Sequence, residues 1–229
     1  MNALLLLLLD SRAPAGAHHH SGAMEAAVMA GLVTDLAGTE DFCQTRLRTS
    51  ARVTATFAAA SCRLFPAERA DVPARLAVLD IEYEARIPSE ATRSASRQLG
   101  RGLWRLLRSV VPQADLLAAF SRCAGPAPHH PLVLGAGVAL AGGEPELAAR
   151  AAALGACAGP ASAAVRLLGL DPFAVHAMLA RLAPGVDACA AAAARAAELP
   201  PASLPAHGAP ALDLLADYHL TAEVRLFAS

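Results

Sequence analysis

Along most of this chain, apolar residues recur every three or four positions, the spacing of a helix face. The pattern is clearest between Ser89 and Val111. There Leu99, Leu103, Leu106, Leu107 and Val110 fall on one stripe, and Arg93, Arg97, Arg101, Arg105 and Arg108 fall on the opposite side. Ser89 suits the cap of that helix. The same periodicity, cut by proline and glycine, predicts further helices over Asn2–Leu9, His18–Val33, Glu40–Leu64, Pro73–Ile87, Gln113–Cys123 and Leu132–Ala141. Three more follow at Pro145–Leu168, Pro172–Leu182 and Val186–Glu198, and a last one at Ala211–Val224. Pro66 and Pro88 close the helices before them. Gly159-Pro160 bends the long one, Asp171-Pro172 opens its successor, Thr34–Thr39 reads as a turn, and Pro200–Pro210 reads as a flexible linker. The expectation is an all-α, single-domain bundle of roughly ten helices over residues 1–229, with a C-terminal tail at 225–229.

Composition sharpens this. Hydrophobic residues make up 55% of the 229 positions and aromatics only 4%. Much of the apolar content is alanine, which favours helix and close packing through small side chains. The net charge is −1 and the chain has no lysine, so no general basic field for nucleic acid exists. The arginine side of Ser89–Val111 reads first as a solvated face, ahead of a nucleic-acid surface, with docking of an acidic partner as a further alternative. The N-terminal run MNALLLLLLD lacks a basic leader and is too short to span a bilayer, so it reads as a buried first helix and not as a membrane anchor. Cys43, Cys62, Cys123, Cys157 and Cys189 are odd in number and widely spaced, without a CxxC pair; they read as buried free thiols of a cytoplasmic protein.

Candidate chemistry is sparse. Arg166 is the one charge in the apolar run Ala161–Leu170, so it needs a partner or a route to water. Adjacent histidines at His18–His20 point in different directions on a helix and make a poor metal site. His129-His130 sits in a Pro-rich loop, and His176, His207 and His219 read as packing or solvent residues. No nucleophile elbow, phosphate loop or paired carboxylates occur, so no catalytic residue and no metal ligand is assigned.

Four pieces in order resemble the UreF family of urease accessory proteins. They are Pro14, Gly16, Ser21 and Glu25 after the apolar first helix; SRQLGR at Ser96–Arg101; HHP followed by a Gly/Ala helix and ASAAVRLLGLD; and His219 followed by the terminal RLFAS. The resemblance implies a non-enzymatic, dimerising, all-helical chaperone. It would bridge UreD (UreH in some organisms) and the GTPase UreG, gate GTP hydrolysis, and serve nickel insertion into apo-urease. Nickel and GTP would be handled by the partner complex, with no cofactor bound tightly here. Carried over residue by residue, it makes Arg166 a contact with the GTPase. It places Gly16, His20, Ser21 and Glu25 in an N-terminal partner-binding loop, and Arg225, Leu226 and Phe227 in a tail ordered against UreD. Two other readings compete: a metal-binding helical protein using its His-rich loops, and a helical enzyme with a cavity among its small residues.

Overall fold

The computed structural model describes residues 3–10, 20–65, 71–110, 128–219 and 226–227. Among these residues the chain forms ten α-helices: α1 (Ala3–Leu9), α2 (Met24–Met29), α3 (Leu36–Arg48), α4 (Ser50–Leu64), α5 (Val72–Glu84), α6 (Glu90–Val110), α7 (His130–Leu140), α8 (Pro145–Leu168), α9 (Pro172–Ala196) and α10 (Pro210–His219). The expected helix at Gln113–Cys123 and residues Gly16, His18, His19 and Arg225 lie outside the described residues.

The bundle is organised around α4, which packs against α7, α8 and α9. Its sequence, SARVTATFAAASCRL, is nearly all small or apolar, and Val53, Ala55, Phe57, Ala58, Ala59 and Cys62 are buried. Small residues let backbones meet. A Cβ added at Gly135 on α7 would stand 2.1 Å from the Ala58 carbonyl oxygen of α4. Beside that crossing, the Ser61 hydroxyl donates to the Leu132 carbonyl at 2.7 Å.

Three expected boundaries shift. The helix expected over Glu40–Leu64 is two. Thr49 leaves helical geometry at φ −123°, ψ −105°, and its hydroxyl donates back to the Thr45 carbonyl at 2.7 Å. The expected turn at Thr34–Thr39 is already the start of α3, because the Asp35 carboxylate accepts the Gly38 amide at 2.8 Å. Conversely, the two helices expected on either side of Pro184 are one. The buried face Val175, Met178, Leu182, Val186, Cys189 and Ala193 runs unbroken past that residue. Pro184 itself is exposed, so water can satisfy the carbonyl it orphans.

The segment read as a linker is tied down over its first half. Arg86 donates to the carbonyls of Pro201, Ala202, Leu204 and Pro205 at 3.1–3.2 Å, and Leu204 is buried. Helices α8 and α9 have the length and apolar composition of a membrane span, yet they pack on each other and on α4.

Candidate functional site

A left-handed turn begins the site. Gly22 (φ +59°) and Ala23 (φ +69°) turn the chain into α2, with Ser21 fully buried and its hydroxyl accepting the Glu25 amide at 3.4 Å. Pro160 fixes where this turn sits. Lacking an N–H, it leaves the Ala156 carbonyl of α8 without its helical donor. Arg46 supplies one: its Nε donates to that oxygen at 2.8 Å, and its Nη1 donates to the Gly22 carbonyl at 2.9 Å. One guanidinium thus ties α3 to the proline bend of α8 and to the turn before α2. Burial holds Arg46 below the ordinary arginine value.

The turn carries Glu25 inward, where it is 3% exposed. A buried carboxylate costs several kcal/mol unless donors surround it, on the order of the desolvation penalty of any ion. Here Oε1 accepts the main-chain amide of Leu226 at 2.7 Å. Oε2 accepts the amide of Phe227 at 3.0 Å and faces Nε2 of His219 at 2.8 Å. A carboxylate has no proton to give, so His219 Nε2 carries the hydrogen. His219 is 1% exposed and ends α10. Asp217, two residues back, holds that helix in place: its Oδ1 accepts the Ser89 hydroxyl at 2.6 Å and the Ala91 amide at 3.1 Å.

Held by its backbone, the tail turns Phe227 into a small apolar cluster with Met24, Ala27, Phe42, Ala163, Ala164 and Ala216. Arg166 closes this pocket from outside. Its guanidinium lies over the Phe227 ring, 4.2 Å from the centroid. Arg166 is exposed in the last turn of α8, where a cation suits the helix dipole, and Gly169 (φ +64°) ends the helix. The structure therefore brings Ser21, Glu25, Arg166, Leu226 and Phe227 together, with Leu226 exposed beside the buried Phe227. His219, expected to be a packing or solvent residue, is part of the same assembly; its place beside the tail motif was the available signal.

The other two motif pieces meet elsewhere. SRQLGR and HHP join around His129, which is fully buried. His129 Nε2 faces Glu84 Oε2 at 2.7 Å, and Nδ1 faces the Ser96 hydroxyl at 3.1 Å. Nε2 is therefore the protonated nitrogen and Nδ1 the acceptor. Asp80 accepts the His129 amide and, through its other oxygen, Arg97, each at 3.1 Å; Arg97 also bonds Glu84. A Cβ at Gly100 would stand 1.8 Å from the Pro128 carbonyl, so only glycine fits there. Burial lowers the His129 pKa despite its acidic neighbours. Burial alone would raise Glu84, but hydrogen bonds from His129 and Arg97 outweigh it and bring the carboxyl below its ordinary value. Burial, with His20 nearby, pushes His130 to about 4. Both nitrogens of His129 are spoken for within the fold, which weighs against it as a metal ligand. No group of three or more metal-capable side chains occurs among the described residues.

The described residues form an all-helical bundle in which a buried carboxylate holds residues 226–227 beneath an exposed arginine. The family model described as UreF matches residues 33–183. The chain is 43% identical over 227 residues to a urease accessory protein UreF of Mycobacterium marinum, covering 99% of this chain and 98% of that protein. It is 44% identical over 230 residues to the UreF of Mycolicibacterium vanbaalenii, with the same coverage, and 45% identical over 175 residues to that of Mycobacterium bovis, covering 76% of each. The chain belongs to the UreF family of urease accessory proteins.

Proposed function

We propose that this chain is a non-catalytic cytoplasmic scaffold, working as a homodimer, that bridges UreD (or UreH) and the GTPase UreG while nickel is delivered to apo-urease. Nickel is cargo and GTP a partner's substrate; gating of GTP hydrolysis follows from holding the GTPase in place. The observation that carries this reading is the junction at Glu25. The Leu226 and Phe227 amides, His219 and, through Phe227, Arg166 converge on it, so Glu25 of the N-terminal motif anchors residues 226–227 beneath the basic residue of α8. Exposed Leu226 and the outer face of Arg166 are left free to meet partners.

Co-purification of the full chain with UreD and UreG tests it. Arg166→Ala is expected to lower UreG recovery and urease activation while UreD recovery stays normal. Deletion of residues 225–229 is expected to lower UreD recovery with helical content unchanged. Normal recovery of both partners by both variants overturns the reading.

A further inference from the structure

A second surface is built from residues that the Glu25 junction does not use. The end of α3, the start of α4 and the middle of α9 enclose an open groove of about 430 Å³. Its floor is apolar: Leu47, Leu182 and Cys189 are each 6–7% exposed. Burial raises the Cys189 thiol pKa against the pull of Arg52, so it remains a neutral part of that floor. The rim is cationic. Arg48, Arg52 and Arg181 all line it and all are exposed.

These arginines are not equivalent. Arg181 bonds Glu40 at 2.5 Å. Arg48 and Arg52 have no side-chain hydrogen bond or ion pair among the described residues. In a chain of net charge −1, two uncompensated guanidinia over one apolar floor are a local feature and not part of a general field. Guanidinium forks match carboxylates in a planar, two-bond geometry. A free anion would satisfy the rim but leave the floor wet. Nucleic acid would want stacking aromatics, and none lines this groove. A helical peptide with one apolar face flanked by carboxylates satisfies both parts.

We propose that this groove docks an acidic amphipathic segment of a partner protein, with its apolar side chains on Leu47, Leu182 and Cys189 and its carboxylates paired with Arg48 and Arg52. The inference stands independently of the bridging role proposed above.

The test uses the full chain and a labelled synthetic peptide of about ten residues, with leucines flanked by glutamates at helical spacing. Matched peptides carry glutamine or lysine in place of glutamate. Saturable binding of the glutamate peptide is expected, at least about tenfold tighter than the glutamine peptide and weakened by salt. Arg48→Glu with Arg52→Glu should abolish that binding and confer binding of the lysine peptide, an exchange that a misfolded variant could not produce. Glu40→Gln frees Arg181 and should tighten the glutamate peptide about two- to fivefold. The proposal is overturned by no saturable binding, by equal affinity for the glutamate and glutamine peptides, by indifference to the double charge reversal, or by inorganic pyrophosphate binding with the same affinity as the peptide.

Discussion

Glu25 shows how much one side chain can organise. It accepts two main-chain amides and faces one imidazole. Removing it leaves three donors without an acceptor, each worth about 1–3 kcal/mol if they stay buried. The cheaper response is release of the tail into water. Glu25→Ala is therefore expected to lower unfolding stability by about 1–3 kcal/mol, and to bring the Leu226 and Phe227 amides to near-unprotected hydrogen exchange. Unchanged protection at those two amides would contradict the geometry. The histidines of the second network give a pH dependence. The unfolded chain protonates His129 and His130 near the ordinary value of about 6.5, whereas in the folded chain both lie lower, His130 at about 4. Below about pH 6.5 the unfolded state binds more protons, so stability is full above that point and falls as pH drops, by up to about 1.4 kcal/mol per pH unit for each group. Urea midpoints followed from neutral to mildly acidic pH should decline, and His130→Gln should flatten part of that decline. A midpoint independent of pH over that range would refute the burial argument.

At the scale of the elements, proline has opposite outcomes at two places, and burial decides which. Pro160 is buried, and the carbonyl it orphans is answered by Arg46. Pro184 is exposed and interrupts nothing on the buried face of α9. A proline inside a helix costs about 3 kcal/mol relative to alanine where nothing compensates. Pro184→Ala is thus expected to raise stability by about 1–3 kcal/mol with no change of fold, read from the denaturation midpoint. Pro160→Ala should gain little, because a restored amide would compete with Arg46 for the Ala156 oxygen. The same contrast shows what the sequence conveys. The unbroken spacing from Val175 to Ala193 was present in the residues, but the local Ala183-Pro184-Gly185 signal outweighed it. The Thr49 break lies in backbone angles that the apolar spacing running across it does not report. The arginine side of α6 was legible as a face but not as two halves. Arg97 bonds Asp80 and Glu84 of α5, whereas Arg101, Arg105 and Arg108 remain exposed, and only the packing of two helices separates them. Gly100 and Ser96 stood in a recognisable motif, but that they meet Pro128 and His129 is a long-range fact.

At the scale of the whole molecule, the described residues form two apolar bodies. The larger surrounds α4 and draws residues from Leu5 in α1 to Leu204. The smaller joins α2, the end of α8, α10 and Phe227, so it exists only when both ends of the chain come together. Its bulk is modest: Met24, Phe42 and Phe227 are its largest buried members, and the rest is mostly alanine. Burial at about 25 cal/mol per Å² gives such a cluster far less stabilisation than the α4 core, and closing it orders segments distant in sequence. Local opening should therefore begin here. Native-state hydrogen exchange is expected to show α2, α10 and residues 226–227 opening as one unit, at lower free energy than α4 and α7, whose amides exchange only through global unfolding. Glu25→Ala should remove the protection of the first group and leave that of α4 lowered only by the loss in overall stability. If α2 and α10 instead exchange with α4 in a single global step, the junction is an integral part of the core, and a partner could not take hold of the tail without unfolding the rest.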